Sequence, residues 1–265
     1  MVLKKLATSD GISIVYTDDG AGRPVVLLHG MLCHKGHWTF QRNVLLAAGF
    51  RVIAMDLRGH GESDAPEYGQ RIARMGQDLA ELLEAEGIDD ATLVGHSMGA
   101  SVSFAYLSLH GSHAVARLVL IDQSPRIMND ATWQWGVRHV SWDKLEAQVA
   151  GQAAWSEFDR EPPAPPHVQR MLEQEGGIGD FFASSLGLRI DHFTADWRDV
   201  VPTIDVPTWV VTSEHSPSFP LEGMQWVADS IPGARLTVYP RSGHCPHWNE
   251  YEDFNRDLVT FLQEM

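Results

Sequence analysis

Short apolar runs alternate with longer stretches of helical periodicity along most of this 265-residue chain. The runs with strand character are residues 12–16, 25–29, 51–55, 92–95, 117–121, 208–212 and 235–239. The stretches with helical spacing are residues 38–48, 72–86, 98–110, 221–230 and 251–263. The later strand runs are apolar throughout, which is typical of strands buried on both faces. This alternation predicts an α/β fold, a parallel sheet with helices on both faces.

The alternation stops in the middle of the chain. Residues 123–199 contain no clear strand run, but they hold five of the nine tryptophans. The pattern of strands and helices then resumes. We therefore predict one α/β core formed by residues 1–122 and 200–265, interrupted by a mostly helical insert at residues 123–199.

Composition and charge narrow the classes of protein to which this chain can belong. A chain this long, with 44% apolar residues and two cysteines, can bury a core without disulfides or metals. Its formal net charge of −15 disfavours nucleic acid and anionic membranes as partners. We find neither a secretory signal nor an apolar run long enough to cross a bilayer, so we expect a cytoplasmic protein.

The motif Gly95-His96-Ser97-Met98-Gly99 carries the strongest chemical signal. It follows the apolar run ATLV and precedes a predicted helix, which is the setting of a nucleophile elbow. A GxSxG string alone arises often by chance, so the strand–turn–helix context is what makes it informative. Ser97 is the candidate nucleophile.

A second motif, His29-Gly30, ends the strand run VVLLH. If Ser97 is a nucleophile, the loop after this strand would supply one oxyanion-hole donor, the backbone N–H of Met31. The N–H of Met98, next to the nucleophile, would be the other. Without Ser97, the same residues would indicate only a glycine turn at a strand end.

A serine nucleophile needs a base, because its hydroxyl group is almost wholly protonated at neutral pH. The candidate is His244, in the Ser242-Gly243-His244 loop that follows the last strand run. His247 is the fallback.

Together these pieces resemble the α/β-hydrolase family of serine hydrolases, including esterases and non-haem haloperoxidase-like members. The matching segments are HGM at 29–31, DLRGHGESD at 56–64, GHSMG at 95–99, IDVPTWVV at 204–211 and SGHCPHW at 242–248. The resemblance covers nearly the whole chain. It implies an eight-stranded, mostly parallel sheet with helices on both faces and a helical cap inserted after the sixth strand.

The catalytic acid departs from the family's common pattern. The usual aspartate follows the seventh strand, where this chain has Ser216, and a serine cannot stabilise an imidazolium as a carboxylate does. Some family members carry the acid directly after the sixth strand, which here is Asp122. We prefer Asp122 over Glu214, the other nearby carboxylate, although a strand-end aspartate often only caps a turn.

The insert would form a roof over the nucleophile, giving an apolar and partly aromatic pocket for a small molecule. The residues predicted to line this pocket are His29, Gly30, Trp38, His96, Trp133 and Trp155. We see no metal-ligand spacing, and the chemistry of a serine nucleophile requires neither a metal nor a cofactor.

The resemblance implies hydrolysis of a small or medium apolar ester, lactone or related acyl substrate, with several alternatives. Cofactor-free dioxygenases of hydroxy-oxoquinolines share the fold and carry the acid after the sixth strand. Haloperoxidase-like members form peracids with the same triad. Some members are receptors that bind a small ligand and cleave it slowly or trap it. Fold alone does not separate these functions.

Overall fold

A computed structural model describes residues 2–138, 140–149, 162, 164–175 and 185–264 of the chain. The side chain of Gln148 is not described. The predicted α/β fold is confirmed: one sheet of eight strands has helices packed on both faces.

The strands lie in the spatial order β1-β2-β4-β3-β5-β6-β7-β8. Their bounds are β1 Leu3–Ala7, β2 Ser13–Asp19, β3 Pro24–Leu28, β4 Arg51–Met55, β5 Ala91–His96, β6 Val115–Ile121, β7 Thr208–Ser213 and β8 Arg235–Tyr239. Strand β2 pairs antiparallel with both β1 and β4, and every pair from β4 to β8 is parallel. The carboxyl ends of the parallel strands therefore meet at one edge of the sheet.

The helices divide between the two faces. Their bounds are α1 Thr39–Ala47, α2 Ile72–Ala85, α3 Met98–His110, α4 Leu145–Val149, α5 Pro166–Gln174, α6 Leu186–Thr194, α7 Leu221–Ser230, α8 Pro246–Asn249 and α9 Tyr251–Gln263. One apolar cluster joins one face of the sheet to α2, α3 and α7, and a second joins the other face to α1 and α9.

Strand β3 shows why the strand runs are apolar throughout. Val26 and Leu28 belong to the cluster on one face, and Val25 and Leu27 belong to the cluster on the other. All four side chains are fully buried. Because alternate residues of a strand point to opposite faces, a strand covered on both sides has no position for a solvated side chain.

The residues described between β6 and β7 contain the helices α4, α5 and α6 and no strand of the sheet. This agrees with the character predicted for the insert, although its limits at residues 123 and 199 stay a prediction. Among the described helices, none is long and apolar enough to cross a membrane.

Candidate active site

Ser97 forms the sharp turn between β5 and α3. The strand ends at His96 and the helix begins at Met98, so the serine alone connects them. Its backbone has φ +51° and ψ −121°, a conformation that costs a residue with a Cβ atom about 1–3 kcal/mol. The turn places Ser97 at the N-terminal end of α3, where unpaired backbone N–H groups and the positive end of the helix dipole lie.

Two glycines allow the strand and the helix to meet at this turn. A Cβ atom on Gly95 would lie 2.6 Å from the backbone nitrogen of Ala100, and one on Gly99 would collide with the carbonyl oxygen of Leu28. Neither position has room for a side chain. The spacing of the GxSxG motif therefore follows from backbone packing around Ser97.

The loop after β3 lies against the nucleophile. A Cβ atom on Gly30 would lie 3.3 Å from the Cβ atom of Ser97. The N–H of Cys33 donates to the carbonyl of Gly30 at 3.2 Å, and Leu32 within this turn has φ +67°. Met31 thus sits in a tight turn beside Ser97, and Met98 opens α3. Their backbone N–H groups are the candidate oxyanion-hole donors.

A buried carboxylate anchors the same loop. Asp56, at the end of β4, is fully buried and accepts hydrogen bonds from the backbone nitrogen and from Nζ of Lys35, both at 2.7 Å. It also accepts from the backbone nitrogen of Glu62 at 2.9 Å. The turn at 56–64 therefore holds the loop that carries Met31, a structural role.

His244 and Asp122 meet at the carboxyl edge of the sheet. Nδ1 of His244 lies 2.7 Å from Oδ2 of Asp122, and both side chains are buried. Because an ionised carboxylate only accepts hydrogen bonds, Nδ1 carries the proton, and Nε2 of the neutral ring is then the acceptor for a hydroxyl group. The N–H of Ser97 donates to the carbonyl of Ile121 at 2.9 Å, which ties the nucleophile to the residue before Asp122.

Asp122 is the carboxylate that contacts His244, and Glu214 is exposed on the turn after β7. Asp122 itself has φ +46°, and its N–H donates to the carbonyl of Val211 at 2.8 Å. This bond ties the end of β6 to β7 and holds Asp122 in its strained conformation. Strand order thus brings Ser97, Asp122 and His244 to one edge from distant parts of the chain.

His96 and His247 pack beside His244. Nε2 of His96 lies 3.0 Å from the carbonyl oxygen of His244, and the rings of His96 and His247 are 4.5 Å apart. Burial, with the neighbouring imidazoles, holds the pKa of both rings well below the usual range. Both are therefore neutral, and His96 donates from Nε2 to the main chain of His244. The ring of His247, the fallback base, packs against that of Trp38, with the ring centroids 4.8 Å apart.

The remaining residues predicted to line the pocket take different places. Nε2 of His29 accepts from the backbone nitrogen of Leu57 at 3.0 Å, and its Nδ1 lies 2.7 Å from the carbonyl of Gly30. Trp38 is buried in the apolar cluster that contains α1 and α9. These two rings support the backbone and the core. Trp155 lies outside the described residues.

Trp133 lies in a groove formed partly by the insert. The groove has a volume of about 630 Å³, and its lining consists of Thr132, Trp133, Trp135, Asp196, Arg198, Asp199 and Trp226. Nε1 of Trp133 donates to the carbonyl of Arg126 at 3.1 Å, which fixes the indole in the wall of this groove.

Sequence reasoning missed several side chains near the site. Thr212 and Ser216 both donate hydrogen bonds to Asp122, each at 2.7 Å. The ring of Phe219 lies 6.1 Å from that of His244. Position 216, where the family usually has its acid, was the sequence signal for Ser216. A hydroxyl group at that position can donate a hydrogen bond to a carboxylate placed elsewhere.

Comparisons with known proteins agree with this geometry. The family model described as "Alpha/beta hydrolase family" matches residues 25–257. Non-heme chloroperoxidase CPO-A1 of Kitasatospora aureofaciens is 32% identical, over 97% of this chain and 98% of that protein. The bifunctional esterase/perhydrolase DCH of Acinetobacter calcoaceticus is 28% identical, over 97% and 99%.

The solved structure of an esterase from Exiguobacterium antarcticum superposes with a TM-score of 0.87 at 28% identity, covering 98% of this chain and 99% of that one. The matched sequence, the sheet order and the turn at Ser97 lead to one conclusion: this chain belongs to the alpha/beta hydrolase family.

Proposed function

We propose that this protein is a serine hydrolase that cleaves a small or medium-sized apolar ester, lactone or related acyl substrate through an acyl-enzyme. The observation that carries the proposal is the 2.7 Å contact between Nδ1 of His244 and Oδ2 of Asp122, beside the strained turn at Ser97. A serine hydroxyl is a weak nucleophile until an oriented base takes its proton. Similarity to an esterase and to an esterase/perhydrolase supports the same chemistry.

In the acylation step, Nε2 of His244 takes the proton of the Ser97 hydroxyl as Oγ attacks the substrate carbonyl carbon. The carboxylate of Asp122 stabilises the imidazolium that forms. The N–H groups of Met31 and Met98 bind the oxyanion of the tetrahedral intermediate, a contribution of several kcal/mol to such reactions. His244 then gives the proton to the leaving oxygen, the C–O bond breaks, and the acyl group remains on Ser97.

Water completes the cycle by the same route. His244 takes one proton from water as its oxygen attacks the acyl carbon, then returns that proton to Oγ of Ser97 as the acid leaves. Hydrogen peroxide in place of water would give a peracid, which is the perhydrolase reaction in the name of one relative.

Apolar side chains beside Ser97 and His244 support an apolar substrate. The ring of Phe219 lies 6.1 Å from that of His244. Met98, next to Ser97, is buried in the same apolar cluster as Phe219, and Met31 packs against this cluster. A charged substrate group here would lose its hydration without a partner of opposite charge.

Initial rates on a panel of 4-nitrophenyl esters and lactones test the proposal. We expect turnover that rises with apolar acyl chains, is lost in Ser97→Ala and His244→Ala, and falls by about 10⁴ in kcat for Asp122→Asn. Ser108→Ala, at an exposed serine of α3, and His113→Ala, at an exposed histidine, are the matched controls. Undiminished turnover in Ser97→Ala would overturn the proposal. A single slow turnover followed by a trapped ligand would indicate a receptor.

The position of Asp122 directly after β6 favours a second candidate, a cofactor-free dioxygenase of hydroxy-oxoquinoline-like compounds. His244 would then take the proton of the substrate hydroxyl group, the electron-rich anion would react with dioxygen, and Ser97 would only orient the substrate. Oxygen uptake with a hydroxy-oxoquinoline distinguishes the two. The dioxygenase predicts uptake that Ser97→Ala retains and His244→Ala loses, whereas the hydrolase predicts none.

A further inference from the structure

Two hydroxyl groups converge on the carboxylate of Asp122 from the neighbouring strand. Oγ1 of Thr212, in β7, donates to Oδ1 at 2.7 Å. Oγ of Ser216, in the turn after β7, donates to Oδ2 at 2.7 Å, the same oxygen that contacts Nδ1 of His244. Thr212 is fully buried and Ser216 is 4% exposed. Bulk water therefore does not compete for these bonds.

The proton of Ser216 has a fixed direction. Its Oγ accepts a hydrogen bond from the backbone nitrogen of Phe219 at 3.2 Å, so the hydroxyl hydrogen is left to point at Asp122. The backbone supports this arrangement, because the N–H of Ser216 donates to the carbonyl of Ser213 at 3.4 Å and closes the turn. Both oxygens of Asp122 thus have a donor besides the imidazole.

We propose that Ser216 and Thr212 are positioning residues that fix the carboxylate of Asp122 towards His244, and that position 216 is close enough for a carboxylate there to replace Asp122. This inference rests on the proposed function. A carboxylate with one partner can rotate about its Cβ–Cγ bond, whereas one held on each oxygen keeps the orientation that the imidazolium needs in the transition state. Hydrogen bonds to a buried charged group are among the stronger ones in proteins.

Paired variants separate a positioning role from a structural one. Ser216→Ala and Thr212→Val remove a hydroxyl group with little change in size, and Thr212→Ser restores one. We expect each deletion to lower kcat for ester hydrolysis roughly tenfold with KM nearly unchanged, and Thr212→Ser to retain most of the activity. Ser218→Ala, a buried serine of the same turn whose hydroxyl is not bonded to Asp122, is the control.

An exchange of the acid tests the second half of the proposal. Asp122→Asn keeps the shape of the side chain and tolerates the positive φ, but it carries no charge. Adding Ser216→Asp to this variant places a carboxylate within reach of His244. We expect the double variant to recover at least about tenfold of the kcat that Asp122→Asn loses, a smaller gain than full restoration because the new side chain is one bond longer than the serine it replaces.

The outcomes are distinguishable once denaturant midpoints show that each variant is folded. A wild type without turnover on any ester or lactone overturns the proposed function. An active wild type whose Ser216→Ala and Thr212→Val variants match Ser218→Ala overturns the positioning role. A double variant that does not fold, or that is no faster than Asp122→Asn, overturns the exchange.

Discussion

At the scale of single residues, backbone strain marks the site. Among the described residues, the non-glycine residues with φ in the left-handed region are Leu32, Ser97 and Asp122. Each follows the carboxyl end of a parallel strand, and each belongs to a different part of the proposed machinery: the oxyanion loop, the nucleophile and the acid. Strain of this kind persists only where surrounding contacts enforce it, and it concentrates at functional sites.

The strain at Ser97 can be measured by substitution. Ser97→Gly and Ser97→Ala both lack the hydroxyl group, but only glycine adopts a positive φ without cost. We expect Ser97→Gly to have a free energy of unfolding about 1 kcal/mol higher than Ser97→Ala.

The same two substitutions at Ser108 serve as the matched control. At Ser108, inside α3, glycine should be less stable than alanine by about 0.5–1 kcal/mol, because helical backbone favours alanine. Urea unfolding of the four variants gives both differences. Equal stability of the two variants at position 97 would show that the turn stores no strain.

The residues at the site differ in how far sequence could predict them. Ser97 and His244 could be named, because a tight turn and a loop after the last strand leave signatures in a short stretch of chain. Asp122 could be preferred but not fixed, since its partner is 122 residues away and the contact depends on strand order. Ring positions such as those of Trp38 and Trp133 depend on packing between distant segments, which no local pattern records.

Among the helices and strands, the buried ones were predicted better than the exposed ones. The bounds of α3, α7 and α9 coincide with the predicted ones, and each of these helices buries apolar side chains against the sheet. Strand β1 was not predicted among the strand runs. It is an edge strand with alternating exposed and half-buried residues, and Lys4 within it pairs with Asp18 and Glu86. Such a strand owes its form to its partner β2 rather than to its own composition.

An acidic side chain of the insert caps a core helix. Arg71 precedes α2 without a side-chain cap, and Oδ2 of Asp191 in α6 accepts from the backbone nitrogen of Ile72 at 2.8 Å. Asp191 also lies 3.3 Å from the guanidinium of Arg71. The carboxylate of Asp191 therefore accepts a hydrogen bond from an N–H group at the start of α2 that has no partner within the helix. The same contact links the insert to the core.

Removing this cap should weaken both the helix and the attachment. We expect Asp191→Ala to lower the free energy of unfolding by about 1 kcal/mol and to speed amide hydrogen exchange in the first turn of α2. Asp191→Asn, which keeps an acceptor, should lose less. Asp229→Ala, at an exposed carboxylate in the last turn of α7, should be close to neutral. If Asp191→Ala behaves like Asp229→Ala, the contact contributes nothing to stability.

At the scale of the whole molecule, buried histidines determine the response to acid. Among the described residues, burial is the largest cause of a lowered pKa at five buried imidazoles: His29, His60, His96, His192 and His247. The pKa of His192 falls to about 3. In the unfolded chain the same rings bind a proton near about pH 6.5. The unfolded state therefore takes up protons first as the pH falls, and acid destabilises the folded protein.

The free energy of unfolding should therefore change with pH at a measurable slope. The stability that each neutral ring contributes is complete above about pH 6.5 and is lost as the pH falls towards the folded pKa, at up to about 1.4 kcal/mol per pH unit. We expect the free energy of unfolding to fall steeply between about pH 6 and 4.5, and His192→Leu to make this slope shallower by about 1.4 kcal/mol per pH unit.

Urea unfolding at a series of pH values measures the slope, with His113→Leu as the exposed control. The control should leave the slope unchanged. A slope that is the same in His192→Leu and in the wild type would mean that His192 binds its proton equally in the folded and unfolded states.

If His244, oriented by Asp122, activates Ser97, a fluorophosphonate probe should label that serine, and the experiment needs no knowledge of the substrate. The protein is mixed with the probe, intact mass is followed over time, and the labelled peptide is sequenced. We expect rapid addition of one probe at Ser97, no addition in Ser97→Ala, and loss of rapid labelling in His244→Ala and Asp122→Asn. A folded wild type that stays unlabelled, or labelling at Ser97 that is equally fast in His244→Ala, would mean that His244 does not activate Ser97.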